Sequence, residues 1–262
     1  MSFITQAVDA RGASRQHRSN AWRRLLSTEA KLLLREPMLI FWAVAFPLIL
    51  TIAMGLAGDR HDKQLGGLSL VDVYVPISMA MVITILALTA VPVVLAGYRE
   101  KGVLRRMSTT PMRPAALLAA DAAVNISTMV VAVVVIAIVA RLTFGVHLPT
   151  QGFGFVLTLV LTAGAMLSLG ALVASLAPTT RIAQGLGTLL FFPMMFFAGL
   201  WVPRQQMSSG LRHMSDFTPL GAATAAIQNT MHGHWPGAAH LAVLAVYTIV
   251  LSFAASRLFR WE

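Results

Sequence analysis

The chain has 262 residues, 57% of them hydrophobic and only 11% charged, with no cysteine. Soluble domains carry about a quarter charged residues, so this chain lacks polar cover for a water-facing surface. Disulfides, thiolate metal sites and cysteine nucleophiles are excluded. The formal charge of +10 accompanies a mean hydropathy of +0.74, which argues for a membrane protein whose inner loops retain Lys and Arg rather than for nucleic-acid binding.

In chain order, residues 1–21 read as a basic, flexible tail on the inner side of the membrane. Residues 22–36 follow as an amphipathic helix, with Trp22, Leu25, Leu26, Leu32 and Leu33 on one side and Arg23, Arg24, Ser27, Lys31 and Arg35 opposite. An apolar stripe with a basic back lies flat at the headgroup boundary. Glu29 and Glu36 project from within the apolar arc, so either that edge meets protein or both carboxylates tilt out to water and headgroups.

Six apolar stretches then reach the roughly 20 residues that a hydrocarbon core requires: 37–57, 73–97, 115–140, 153–177, 182–202 and 238–256. The basic leader lacks a small-residue cleavage site, so the first span is expected to direct insertion and to stay in place. Only Pro178-Thr179-Thr180-Arg181 separates spans four and five, which is a turn, and no stretch is left for a separate soluble domain. Residues 203–237 hold two short helical patterns: Met207, Leu211 and Met214, then Thr218-Pro219 as N-cap and N1 ahead of Leu220, Ala223, Ile227 and Met231. The expected structure there is an outer re-entrant or surface-lying hairpin, tolerated where protein shields its backbone. Residues 257–262 close the chain on the inner side. The fold class is thus all-α, polytopic, with six transmembrane helices.

Orientation follows from the cations. Fifteen of the 20 Lys and Arg fall on the side of both termini and five, Arg60, Lys63, Arg141, Arg204 and Arg212, on the other. The positive-inside bias therefore predicts cytoplasmic termini.

Chemistry within the chain is not encoded. A Walker A loop needs Gly-Lys followed by Ser or Thr, whereas Lys31, Lys63 and Lys101 precede Leu, Gln and Gly. No G-x-S-x-G or H-E-x-x-H occurs. His232-Gly-His234, with His240 nearby, has only Asp216 as an acidic neighbour in the outer segment, which favours a solvated loop over a metal site. No cofactor, metal or catalytic group is expected in this chain.

Three features carry information. After the second span, Arg99-Glu100-Lys101-Gly102-Val103-Leu104-Arg105-Arg106 mixes apolar and charged residues, so a short helix there either meets a partner or is an ordinary basic loop. Asp121 and Asn125 share one face of the third span; an ionised Asp at mid-bilayer costs about 2.5–3.5 kcal/mol, so this face turns into the bundle. Its role is either a structural bond, with Arg99 or Arg181 as partner candidates, or a cargo contact. The fifth span carries Phe191, Phe192, Met195, Phe196 and Trp201, an adaptable apolar wall for cargo or a lipid-facing surface. Gly164/Ser168 and Ala171/Ser175 in the fourth span permit close helix approach.

Taken in order, these elements resemble the membrane permease subunits of type-2 ATP-binding-cassette exporters, especially the daunorubicin-resistance-like bacterial drug and lipid exporters. The resemblance rests on Arg35-Glu36-Pro37 before a Phe/Trp-rich first span, on Arg99 to Arg106 with Thr110-Pro111, and on Ala198-Gly199-Leu200-Trp201-Val202-Pro203 with Thr218-Pro219-Leu220. Val103 stands where many relatives have Thr, and the outer segment lacks extra prolines.

The resemblance implies a division of labour. Residues 98–114 would hold a coupling helix docked on a separate ATPase subunit, present in two copies, which binds ATP and Mg. A second permease, identical or paralogous, would face this one across the cargo path, in contact with membrane lipids and no nucleic acid. Glu29 or Glu36 would meet Arg105 or Arg106 to form a lever, with Arg35 beside it. The expected place is the bacterial plasma membrane and the expected cargo an amphiphilic drug or lipid. Alternatives are export of a polysaccharide or cell-envelope precursor, a proton-driven carrier using Asp121, and a non-transporting assembly factor or sensor.

Overall fold

The computed structural model describes residues 31, 38, 41–58, 65, 67–102 and 114–258, the last stretch with side chains from 119 onward. Regular structure among them is helical throughout: α1 (Phe41–Ala57), α2 (Leu70–Glu100), α3 (Pro114–Phe144), α4 (Gly152–Leu176), α5 (Thr180–Ala198), α6 (Ser209–Phe217), α7 (Pro219–Met231) and α8 (Ala238–Leu258). Helices answer the physical problem of these apolar runs, because lipid offers no partner to a bare N–H or C=O. Five helices among the described residues, α2 to α5 and α8, are long and apolar enough to cross a membrane, and α1 is a shorter apolar helix. The chain is a multi-pass membrane protein.

The bundle is built around α2. Within its apolar window 83% is buried, against 11% for α8, and its residues from Val71 to Leu88 line the main core. The helix starts at Leu70, three residues before the sequence-based boundary, because Ser69 and Asp72 form a capping box that satisfies the first free N–H groups. It runs on through Arg99 and Glu100 for reasons that lie in its neighbours.

Two π turns interrupt the helical ladder, Phe41–Ala45 at the start of α1 and Leu86–Ala90 inside α2. Each stands just ahead of a proline, Pro47 and Pro92. A helical proline offers no N–H to the carbonyl four residues back and its ring crowds that carbonyl, so the ladder widens locally and Val91 N–H reaches Leu86 O instead. Neighbouring helices seat the turn in α2 through glycine. A Cβ on Gly170 of α4 would stand 2.0 Å from the Ala87 oxygen, and one on Gly187 of α5 2.0 Å from the Leu88 oxygen.

Small and hydroxylated residues join the remaining spans, as expected where lipid removes the hydrophobic drive between helices. The Gly164/Ser168 face of α4 meets α8: a Cβ on Gly164 would lie 3.1 Å from Thr248 Cγ2, and the Ser168 and Ser252 hydroxyls are 2.7 Å apart. Thr51 of α1 donates to Ser78 of α2 at 2.9 Å.

The fifth span ends at Ala198, four residues before the expected boundary. Gly199 adopts φ 96°, a left-handed conformation open to glycine, and Leu200 N–H turns back to Met195 O at 3.1 Å. Trp201 is consequently off the helix. The hairpin beyond it has two unlike limbs. α6 begins at N-cap Ser208 and exposes Met214 and Phe217. α7, capped by Thr218 as the Thr-Pro pair predicts, is buried from Pro219 to Ile227 among the spans.

Candidate functional site

At the C-terminal end of α2, Arg99 and Glu100 reach toward different neighbours. Arg99 Nη2 donates to the Ala174 carbonyl near the end of α4. Glu100 Oε2 accepts from both the backbone N–H (3.1 Å) and the hydroxyl (3.0 Å) of Thr180, the first residue of α5. Lys101 and Gly102 continue as a turn, with Gly102 at φ 63°. Val103, Leu104, Arg105 and Arg106, together with Glu29, Arg35 and Glu36, lie outside the described residues.

Asp121 and Asn125 sit one turn apart on α3 and are both buried. The Asn125 amide donates to the Asp121 carbonyl at 3.0 Å and to its Oδ1 at 3.2 Å. The polar pair thus turns into the bundle, as the energetics of a buried carboxyl require.

The four apolar candidates on α5 do not form one wall. Met195 is 0% exposed and belongs to the core, Phe191 is half-buried against that core, and Phe196 is half-buried in an edge-on pair with Phe197. Phe192 alone is exposed, with its ring stacked on Trp201 at 6.2 Å. Its exposed face continues toward the start of α5 through Leu189, Thr188, Gly185 and Gln184, all exposed. Gln184 and Thr188 stand about 6 and 12 Å along the helix from its start, at 1.5 Å per residue.

The opposite end of the bundle, beyond the C-terminus of α5, holds a network that sequence spacing did not single out. Arg204 pairs with Asp216 at 2.5 Å and donates to Ser215 Oγ at 2.6 Å. Ser215 in turn donates to the Phe197 carbonyl near the end of α5 at 2.7 Å, and His240 Nε2 of α8 stands 3.1 Å from Asp216 Oδ1. Burial by itself would raise the Asp216 pKa, but the Arg204 bond and charge and the His240 contact outweigh it and hold the carboxyl below its ordinary value. Gly221 of α7 admits this cluster, since a Cβ there would fall 2.2 Å from the Ser215 oxygen. The usable signal was a lone acid, Asp216, in a segment with two arginines. The histidine weighed as a metal ligand is instead its partner.

Comparison with known proteins matches this architecture. The family model described as ABC-2 type transporter matches residues 20–232. The chain is 33% identical to Nodulation protein J of Bradyrhizobium diazoefficiens over 105 residues, 39% of this chain and 40% of that protein. The shared stretch thus spans less than half of that relative. With a helical bundle of membrane-crossing length and a family match over most of its residues, the chain belongs to the ABC-2 type transporter family of membrane permeases.

Proposed function

We propose that the chain is the membrane permease subunit of an ATP-driven exporter of amphiphilic drugs or lipids. It stands in a bacterial plasma membrane with both termini inside. A separate ATP-binding subunit, in two copies, binds ATP and Mg and supplies the work, and a second permease completes the path. The observation that carries the reading is the course of α2, which continues through its π turn to Glu100 and leads directly into residues 101–113. A pull on that inner segment acts on the helix that touches most of the bundle.

The cargo class rests on the outward face of α5. Gln184 and Thr188 are unfavourable against acyl chains, which supports a face turned from lipid, while Leu189 and Phe192 offer apolar contact farther out. A path with a polar inner half and an apolar outer half suits an amphiphile. Gln184 and Thr188 also support the second reading, a polysaccharide or envelope precursor.

Reconstitution with the companion ATPase in proteoliposomes, with flux of a fluorescent amphiphile as readout, tests both. Phe192→Gln is expected to lower amphiphile flux about fivefold to tenfold with assembly intact, the size of one lost apolar contact. Full flux in a correctly inserted Phe192→Gln chain overturns the apolar path. Saccharide flux abolished by Gln184→Leu establishes the second reading instead.

A further inference from the structure

The inner end of α2 reads two helix termini at once. Ala174 has no intrahelical donor because the residue four positions on is Pro178, which lacks an N–H, and Ala177 N–H goes to Val173 O. The stranded carbonyl takes the Arg99 guanidinium, a cation at the negative end of α4. Thr180 N–H is one of the free donors at the positive end of α5, and it takes Glu100. Each charge complements the dipole of the helix it meets. Beneath them the contact is close and smooth: Ala96, Ala177 and Ala183 form one buried cluster with Val93 and Leu186 at its edge. A Cβ on Gly97 would lie 3.4 Å from the Thr180 methyl.

We propose that Arg99 and Glu100 are positioning residues that clip the inner end of α2 to the α4–α5 turn, so that force entering at residues 101–113 moves α2, α4 and α5 as one body. The idea rests on the exporter reading above and adds to it the route by which the work reaches the cargo-facing helix. A clip is needed because near its end α2 meets α5 through the small side chains of Ala96 and Ala183, which transmit a push but slide under a pull. The two hydrogen bonds to Thr180 resist sliding, and the Arg99 bond prevents α4 from lagging.

The test uses the purified complex of both permeases and the ATPase, with ATP hydrolysed per cargo molecule moved as the readout. Glu100→Ala is expected to leave hydrolysis within about twofold and to reduce transport about tenfold, the scale of a lost coupling contact. Glu100→Gln, which keeps the acceptor, is expected to restore the ratio to within about threefold of the parent. Unchanged coupling in Glu100→Ala overturns the clip, and so does equal loss of hydrolysis and transport.

A second arm avoids any fault in folding. The chain has no cysteine, so Glu100→Cys with Thr180→Cys places one thiol pair on a silent background. Joining the pair with a short bis-methanethiosulfonate reagent is expected to restore coupling. Failure to join, or transport blocked on joining, shows that the two ends part during the cycle and overturns the proposal. An unmodified complex that hydrolyses ATP without moving cargo defeats the exporter reading instead, while the cross-linking yield still judges the clip.

Discussion

Beyond the C-terminus of α5, Arg204, 13% exposed at its side chain, bridges Asp216 and Ser215, and through them reaches the last turn of α5 and the first of α8. At the opposite end, where α2 stops, two consecutive residues of opposite sign each hold one neighbouring helix end, and Glu100 does so while exposed. The first fastening shares its atoms among four elements, so removing one partner strands the others in a partly buried site. The other fastening is made of two separate contacts, a half-buried one at Arg99 and an exposed one at Glu100 that contributes little to stability by itself. The two ends thus differ in how deeply their fastenings are buried and in how many helices share them.

Between the two ends lies the π turn of α2, seated by Gly170 and Gly187, and breaking that seat has the largest expected effect. Gly187→Leu drives a side chain into the Leu88 carbonyl and is expected to remove the assembled chain from the membrane fraction. Gly185→Leu, two residues away with nothing within 4 Å of its Cβ, leaves the level unchanged by immunoblot. Equal loss in both would mean that the helix, not the seat, is at fault.

Next in size is the Arg204 network. Arg204→Met leaves Asp216 without its cation in a partly buried site and is expected to cost about 2–3 kcal/mol, below the range for fully buried pairs, read as a lower melting temperature in detergent. Glu100→Ala is expected to shift that temperature far less. Similar shifts for the two would dissolve the contrast between the ends.

The smallest effect concerns acid. Asp216 has its pKa lowered in the folded chain, so its contribution is complete above the ordinary aspartate value of about 3.9 and is lost as pH falls through the lower folded value. Melting temperature is expected to drop below about pH 4, and Asp216→Asn should flatten that part of the profile. An unaltered acid limb in this variant would place the titrating group elsewhere.

Much of the fold is legible without coordinates because the membrane reduces the choice to counting. A run of some 20 apolar residues has one stable form in lipid, and the predicted spans 153–177 and 238–256 differ from α4 and α8 by a residue or two. Capping chemistry was legible too: Thr218-Pro219 opens α7 as expected. Where a boundary failed, a backbone feature outweighed hydropathy, as at Gly199, whose left-handed turn stops α5 ahead of the apolar residues that follow.

The site was less legible. Phe191, Phe192, Met195 and Phe196 form one apolar cluster in sequence, yet a helix turns about 100° per residue and the bundle buries Met195 while exposing Phe192. Gly170 and Gly187 show no special context until the carbonyls of Ala87 and Leu88 lie against them.

Length and apolar runs were enough to determine an all-helical membrane bundle, since transfer into lipid depends on composition and local hydrogen bonding. Which helix stands at the centre, which face of α5 looks outward, and that Arg99 and Glu100 serve two different helix ends were decided by tertiary structure alone. These properties depend on the directions in which side chains leave neighbouring helices, and no pattern along a single strand of sequence carries that information.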